Sequence, residues 1–391
     1  MAGKDDPRLQ VNVSNSEHER RWKAVREAMK TAGLDFLVMQ NCTDFLGGYV
    51  KWFADVTAQN NYPVTVLFPR ADDITIIKHG PRGTKKSAAF GIKKEIGVPA
   101  LPSLDYGATY QAEALVAELA PYKNCHIGLV GMSHLPVDFY SYLTKQLATA
   151  KFETASDLVD NIKAIKSDEE IEHLRRIAQA QDETFKYALT ITKPGRRNFE
   201  IRADLMHQCL KTGSDQANLA VNSSPPGQTP KTPGLDQRNR VIQDGDQVDF
   251  RIESCGPSGY FAEIVRSACL GKVSSQLQEQ FELSKELQQL TLGMLKPGAE
   301  PIALWEANNE FLRKAGYPEE RRLLFHGMGY DMVERPCVQP GETMKIQLGM
   351  NLATHARVSS DKAACSVCEN VVVTQTGPEL LHKAAQKIFV I

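Results

Sequence analysis

The chain has 391 residues, 42% of them hydrophobic and 24% charged, with a formal net charge of −1 at pH 7. That balance is ordinary for a globular chain long enough to build two cores. It excludes a strongly basic nucleic-acid surface and an acidic tail.

The start "MAGKDDPRLQVNVSNSEHERRWK" is polar, without a signal-like apolar stretch. No apolar run approaches the ~18 residues that cross a bilayer. The expectation is a cytoplasmic protein with neither a membrane nor a nucleic-acid partner. The eight cysteines are scattered, which fits reduced thiols. Cys365 and Cys368 alone have metal-knuckle spacing, and without a second pair they are expected to be packing residues.

"SEHERRWKAVREAMKTAG" predicts a helix capped by Ser16, with Trp22, Val25 and Met29 as its apolar stripe and Gly33 as its stop. "DFLVMQ" reads as a short buried strand. "YPVTVLFPRADDITIIKHG" reads as a hairpin turning at Arg70–Asp73. "CHIGLVGM" and "HLPVDFYSYLTKQLA" add a strand and a helix. This alternation predicts an α/β domain over residues 1–157.

A second domain is expected over residues 158–391. Ser167 with Glu170 makes a capping box, and Ile171, Leu174, Ile177 and Ala178 continue a helical stripe. A second helix follows in "KPGRRNFEIRADLMHQCLKTG", then a Pro/Gly-rich loop from Asn222 to Arg240. Strands are predicted in "DQVDFRIES" and "GYFAEIVRSACLG", and a long helix over Ser275–Leu295. A loop and helix in "PGAEPIALWEANNEFLRKAG", the segment "FHGMGYDMVERP", and strands in "GMNLATHARV" and "CSVCENVVVTQTG" complete the chain. Helix, helix, strand, strand thus occurs twice, a weak internal duplication.

The duplicated strands carry polar residues where a buried sheet should be apolar: Glu263, His355 and Glu369, with His326 in the glycine-flanked segment between them. A charge in an apolar strand is costly unless paired or ligated. Two carboxylates with two imidazoles suit a borderline divalent metal such as zinc, manganese or iron. They suit metal-free acid–base work equally well.

The order and spacing of "IKAIKSDEEIEHLRRIAQAQDE", "GYFAEIVRSACLG", "FHGMGYDMVERP", "GMNLATHARV" and "CENVVVTQTG" resemble the superfamily of creatinase, prolidase, aminopeptidase P and methionine aminopeptidase. The resemblance implies a creatinase-like α/β N-terminal domain and an α+β pita-bread catalytic domain with a pseudo-twofold duplication. Metallopeptidase members bind two metals through Asp, Asp, His, Glu and Glu. Carried over in turn, the second Asp falls on Glu263, the His on His326, the first Glu on His355 and the last Glu on Glu369. The first Asp falls near Ile252 or on Glu253, a choice left open here. Neighbouring strand residues face opposite sides.

Loss of carboxylates predicts a broken two-metal site, because two close cations need anionic ligands. The expected remainder is one metal site made by Glu263, His326, His355 and Glu369, or a metal-free pocket of the same side chains. A second histidine of the peptidases is replaced by Val333, which has no donor for a carbonyl. Creatinase's loop histidine is absent, with Lys231 roughly in its place.

The leading expectation is therefore a creatinase-like hydrolase cleaving a C–N bond in a small non-peptide metabolite. A single-metal lyase, an Xaa-Pro-type metallopeptidase and an inactive binding protein are the alternatives. Glu263, His326, His355 and Glu369 are the candidate catalytic residues. Arg335 and Arg357 are candidate anchors for a substrate carboxylate. Relatives pair as homodimers, so Trp52, Phe53 and Tyr62 are candidates to wall a partner's pocket, with core packing as the competing expectation.

Overall fold

The computed structural model describes residues 11–41, 48–56, 62–101, 103–104, 107, 109–214, 216–230 and 235–391. Lys231 lies outside them. The chain forms two compact units, one over Asn12–Lys163 and one over Ala164–Ile391 together with Val11, whose N–H donates to the Pro257 carbonyl.

The first unit contains α1 (Asn15–Ala32), β1 (Phe36–Asn41), α2 (Gly48–Ala54), β2 (Val64–Pro69), β3 (Ile74–His79), β4 (Gly83–Lys86) and β5 (Ile92–Val98). It continues with α3 (Thr109–Leu119), β6 (His126–Val130), α4 (Val137–Gln146), β7 (Lys151–Thr154) and α5 (Ser156–Lys163). Its sheet has the order β4-β5-β3-β2-β1-β6-β7, with β1 antiparallel to β2 and parallel to β6. Val38, Leu67, Ile127 and Leu129 of the sheet bury against Leu115 of α3 and Phe139 and Leu143 of α4.

Three expectations for this unit are corrected. The N-cap of α1 is Ser14, not Ser16: its hydroxyl accepts from the Glu17 N–H at 3.1 Å. The domain boundary moves from 157/158 to 163/164, because α5 packs with α1 and β6 of the first unit. Trp52 and Phe53 are 1% and 0% exposed and belong to their own unit's core. The Arg21 guanidinium lies over the Trp52 ring and donates to the Trp52 carbonyl, while Phe53 packs edge-on against Phe68. Neither ring is available to a partner. Tyr62 is exposed and stacks on His79 at 4.3 Å.

The second unit opens with α6 (Asp168–Ile191), whose Ser167–Glu170 capping box is present. Next come α7 (Asn198–Lys211), β8 (Ala217–Ser224), α8 (Leu235–Asn239), β9 (Gln247–Cys255) and β10 (Phe261–Cys269). The second half has α9 (Ser275–Met294), α10 (Pro301–Lys314), β11 (Phe325–Gly327), β12 (Glu334–Cys337), β13 (Asn351–Ser359), β14 (Ala364–Thr374), β15 (Gly377–Leu380) and β16 (Phe389–Val390). Two long helices followed by sheet strands occur twice, with β8, β9 and β10 on the sheet path from the first half and β11 to β14 from the second. The strand order β12-β11-β13-β14-β10-β9-β8 joins the halves where β10 meets β14 antiparallel, Val265 opposite Cys368. The expected Asn222–Arg240 loop is shorter than predicted, since β8 takes its start and α8 its end.

Strand alternation gives this sheet two chemically different faces. Leu219, Val221, Val248, Phe250, Ile252 and Ile264 bury against Phe185, Ile201 and Leu205 of α6 and α7. In the other half Ala356 and Val358 bury against Leu287 of α9 and Leu312 of α10. A fully buried side chain of this size contributes about 1.5–3 kcal/mol, which fixes the phase of each strand. The opposite face is left with Asn218, Arg251, Glu253, Glu263, His326, His355, Cys368 and Asn370. Among the described residues no helix is long and apolar enough to cross a membrane.

Candidate functional site

Three residues of the polar face converge. Glu263 comes from β10, His326 from β11 and His355 from β13, and one ligand atom from each lies within 4.8 Å of the others. The Glu263 Oε2 is 3.8 Å from His326 Nε2 and 3.6 Å from His355 Nε2. The imidazoles stack with centroids 5.0 Å apart.

Local contacts hold this geometry. The His326 Nδ1 is 2.9 Å from the Gly327 carbonyl, which can only accept, so Nδ1 carries the hydrogen and Nε2 presents its lone pair. A Cβ on Gly327 would sit 2.3 Å from the Arg335 carbonyl oxygen, and one on Gly329 2.6 Å from the Glu334 carboxylate. Glycine is therefore required for the turn to close over itself. Glu334 fastens the turn through a buried ion pair with Lys166 at 2.7 Å. Asn370 accepts the Glu263 N–H at 2.6 Å, fixing β10 beside β14 at the site.

Electrostatics sort the groups by protonation. Burial pushes Glu263 up, but His355, His326 and Arg251 outweigh it and hold the carboxyl at about 2. Burial pushes His355 down to about 4, against the pull of Glu263, so this imidazole is neutral at pH 7. Its Nε2 is buried without a hydrogen-bond partner. Glu253 lies directly across from Glu263 and takes a hydrogen bond from Asn218 at 2.8 Å. Burial, then the neighbouring Glu263 charge, raises it to about 7. Cys368, opposite His355, stays a thiol, because burial and then the Glu263 and Glu253 charges push it well up.

These donors fit one divalent cation. At 3.6 and 3.8 Å the imidazole nitrogens are too far from Glu263 for hydrogen bonds. They stand near the ~3.4 Å separation of ligands that share a tetrahedral metal with bonds of ~2.0–2.1 Å. The orphaned His355 Nε2 has no other use, and His₂-carboxylate with an open position is a catalytic donor set.

The sequence profile of metallopeptidase family M24 matches residues 172–375, just over half of the chain and the part that carries all these groups. The chain belongs to metallopeptidase family M24. It is 26% identical over 395 residues, 96% of this chain and 97% of the relative, to an uncharacterized hydrolase/peptidase of Sinorhizobium fredii. It is 24% identical over 240 residues to the Xaa-Pro dipeptidase of Lactobacillus helveticus, covering 58% of this chain and 62% of that one. The crystal structure of an X-Pro aminopeptidase from Thermotoga maritima matches with a TM-score of 0.79 at 18% identity, over 95% of this chain and 99% of that chain. Dipeptidase PepE from Mycobacterium ulcerans matches at 0.78 and 18% identity, over 97% and 100%. The fold is thus an α/β N-terminal domain followed by a pita-bread domain, and membership places the chain among the hydrolases.

Within the M24 frame the site departs from expectation at one strand position and selects between two residues at another. Glu369 does not join the cluster. It is one residue out of phase with Cys368 and pairs with Thr354, so it faces the helices, where it forms a buried ion pair with Arg266. The residue that β14 offers to the site is Cys368. The choice between Ile252 and Glu253 is resolved by the same reasoning. Ile252 is core against α6 and α7, and Glu253 is on the site face. Arg335 is committed to Glu342, 2.5 Å away, and is not a free anchor. Arg357 stands on the face of His355 and is exposed. Arg251, Asn218 and Asn370 are contributors that sequence reading missed. The apolar phase of Val248, Phe250 and Ile252 was the signal that could have found Arg251 and Glu253.

Proposed function

We propose that this M24 member hydrolyses an amide C–N bond in a small polar substrate at a single-metal centre of Glu263, His326 and His355. What supports the reading most is the pair of imidazole nitrogens aimed at one carboxylate oxygen, 3.8 and 3.6 Å away, on a buried polar face. A divalent cation held there supplies Lewis acidity toward an amide carbonyl. Glu263 remains anionic and His355 neutral at pH 7, so both are ready ligands without a proton to lose. Glu253, poised near 7, accepts a proton from water and returns it to the departing nitrogen. Asn218 donates to the Glu253 carboxylate, and Asn370 accepts the Glu263 backbone N–H.

Xaa-Pro dipeptides are the first substrates to test, since an Xaa-Pro dipeptidase and an X-Pro aminopeptidase are among the proteins the chain resembles. A non-peptide, creatinase-like amide is the second reading. It is favoured by Val333, an exposed apolar residue at the position where the peptidases carry a further histidine. The test is elemental analysis of the purified protein, followed by turnover of Xaa-Pro dipeptides and creatine-like amides in oxygen-18 water. One metal per chain and label in the acid product are expected. Products without label mean a lyase. Absence of both metal and turnover means a binding protein and sinks the proposal.

A further inference from the structure

The geometry points to Arg251 as the receptor for a carboxylate on the substrate, which makes the substrate an anionic amide; this rests on the amide-hydrolase reading above. Arg251, Val265, Cys368 and His355 form one row across four strands, each directly opposite the next. Glu263, two residues before Val265, is the diagonal neighbour of Arg251, about 7–8 Å away by strand geometry. With strands 4.7–4.9 Å apart, the backbones of Arg251 and His355 are roughly 14 Å apart. The guanidinium and the Glu263–His326–His355 cluster thus stand at the two ends of that row, a span of about dipeptide length.

Other arginines of this unit are committed: Arg266 to Glu369, Arg335 to Glu342 and Arg240 to Asp246. The Arg251 side chain forms no hydrogen bond among the described residues and its Nε is buried without an acceptor, so its charge acts on Glu253 and Glu263 only through space. Its position carries a cost. A guanidinium beside two imidazoles and a carboxylate repels any cation that those ligands hold. An anionic group seated between guanidinium and metal removes that conflict. The planar fork of arginine matches a carboxylate in bidentate fashion. Arg357 lies two residues past His355 on the same face, but it is exposed, so its charge is screened by solvent and salt. It serves as the control for loss of one positive charge.

The test uses the full chain, Arg251→Gln, Arg251→Lys and Arg357→Gln. Calorimetric titration with succinate reads the subsite without turnover, and inorganic phosphate is the second probe. Kinetics compare Gly-Pro with its C-terminal amide. Arg251→Gln should weaken succinate binding and raise KM for Gly-Pro by about 10- to 100-fold, with kcat little changed. Its KM for the amide should match wild type. Arg251→Lys, which keeps the charge and loses the fork, should fall between, and it carries the test if Arg251→Gln does not fold. Unchanged succinate affinity in the Arg251 variants, or an equal loss in Arg357→Gln, overturns the assignment. Phosphate bound more tightly than succinate through Arg251 overturns the carboxylate in favour of a phosphoryl group. Arg251-dependent succinate binding in a protein that hydrolyses no amide leaves the subsite standing and removes the amide reading alone.

Discussion

Glu369→Ala separates a structural carboxylate from a catalytic one. Glu369 and Arg266 are each 2% exposed and form an ion pair on the helix side of the sheet. Removing one partner of a buried pair costs about 3–5 kcal/mol, because the other charge stays buried. Here the lower end applies, since Arg266 keeps the carbonyls of Val265, Cys368 and Ala384 at 2.9, 3.1 and 3.1 Å. A loss of about 3 kcal/mol in a unit of this size lowers Tm by about 6–12 °C. Differential scanning calorimetry reads that shift, and turnover is measured well below the lowered transition. Activity per folded molecule should stay within about threefold of wild type, a difference worth less than 1 kcal/mol. The double variant Arg266→Met with Glu369→Leu should recover most of the stability. A Tm unchanged by Glu369→Ala together with lost turnover would refute this reasoning and return Glu369 to the reaction.

His355→Ala should abolish metal retention while leaving the helix-packed face intact, checked by elemental analysis beside circular dichroism. If Glu253 acts as a base, kcat/KM should rise with pH through about 7, and Glu253→Gln should remove that limb and cost about 10²- to 10⁴-fold in rate. A flat profile in the parent protein counts against that role. Asp249, which burial raises to about 6, binds its proton more tightly folded than unfolded. Its contribution to stability is present below its unfolded value near 4 and is lost as pH rises through 6. Asp249→Asn should therefore stabilise by about 1–2 kcal/mol at pH 8 and by nothing at pH 4, less than a full two-unit shift because Asp249 is only half-buried; denaturant titrations at both pH values decide it. Gly329→Ala should push the Glu334 carboxylate off Lys166 and lower both Tm and activity, whereas a neutral result would show that the turn opens freely.

Periodic apolar signals made the fold legible, and site errors arose where phase was ignored. In "CSVCENVVV" Cys365, Val367, Val371 and Val373 share the buried face. Glu369 is in their phase and Cys368 is not, so simple alternation placed the functional position one residue earlier than charge alone suggested. The same count across Val248, Phe250 and Ile252 selects Glu253. Other features had no local signature. Arg335 is captured by Glu342 seven residues on, and the core role of Trp52 and Phe53 depends on Arg21 and Phe68 arriving from elsewhere. β8 was hidden because "ANLAVNSS" ends in turn-forming residues that nonetheless pair with β9.

The phase argument also fixes how many cations the site can hold. Two divalent ions about 3.5–4 Å apart repel by about 18 kcal/mol at an effective dielectric near 20. The M24 pattern of four carboxylates offsets that repulsion, but here Glu369 faces the helices, His355 replaces a carboxylate and Glu253 is raised to about 7. Glu263 is left as the one firmly ionised ligand, and Arg251 adds a positive charge beside it. On the proposed reading, one divalent cation with one carboxylate and two imidazoles is the state those charges tolerate. Glu253, without a second cation to keep it ionised, retains its proton near neutral pH and is freed for proton transfer. On the proposed reading, change at the ligand positions converts a would-be metal ligand into an acid–base group, and the metal-to-chain ratio and the pH profile must then move together.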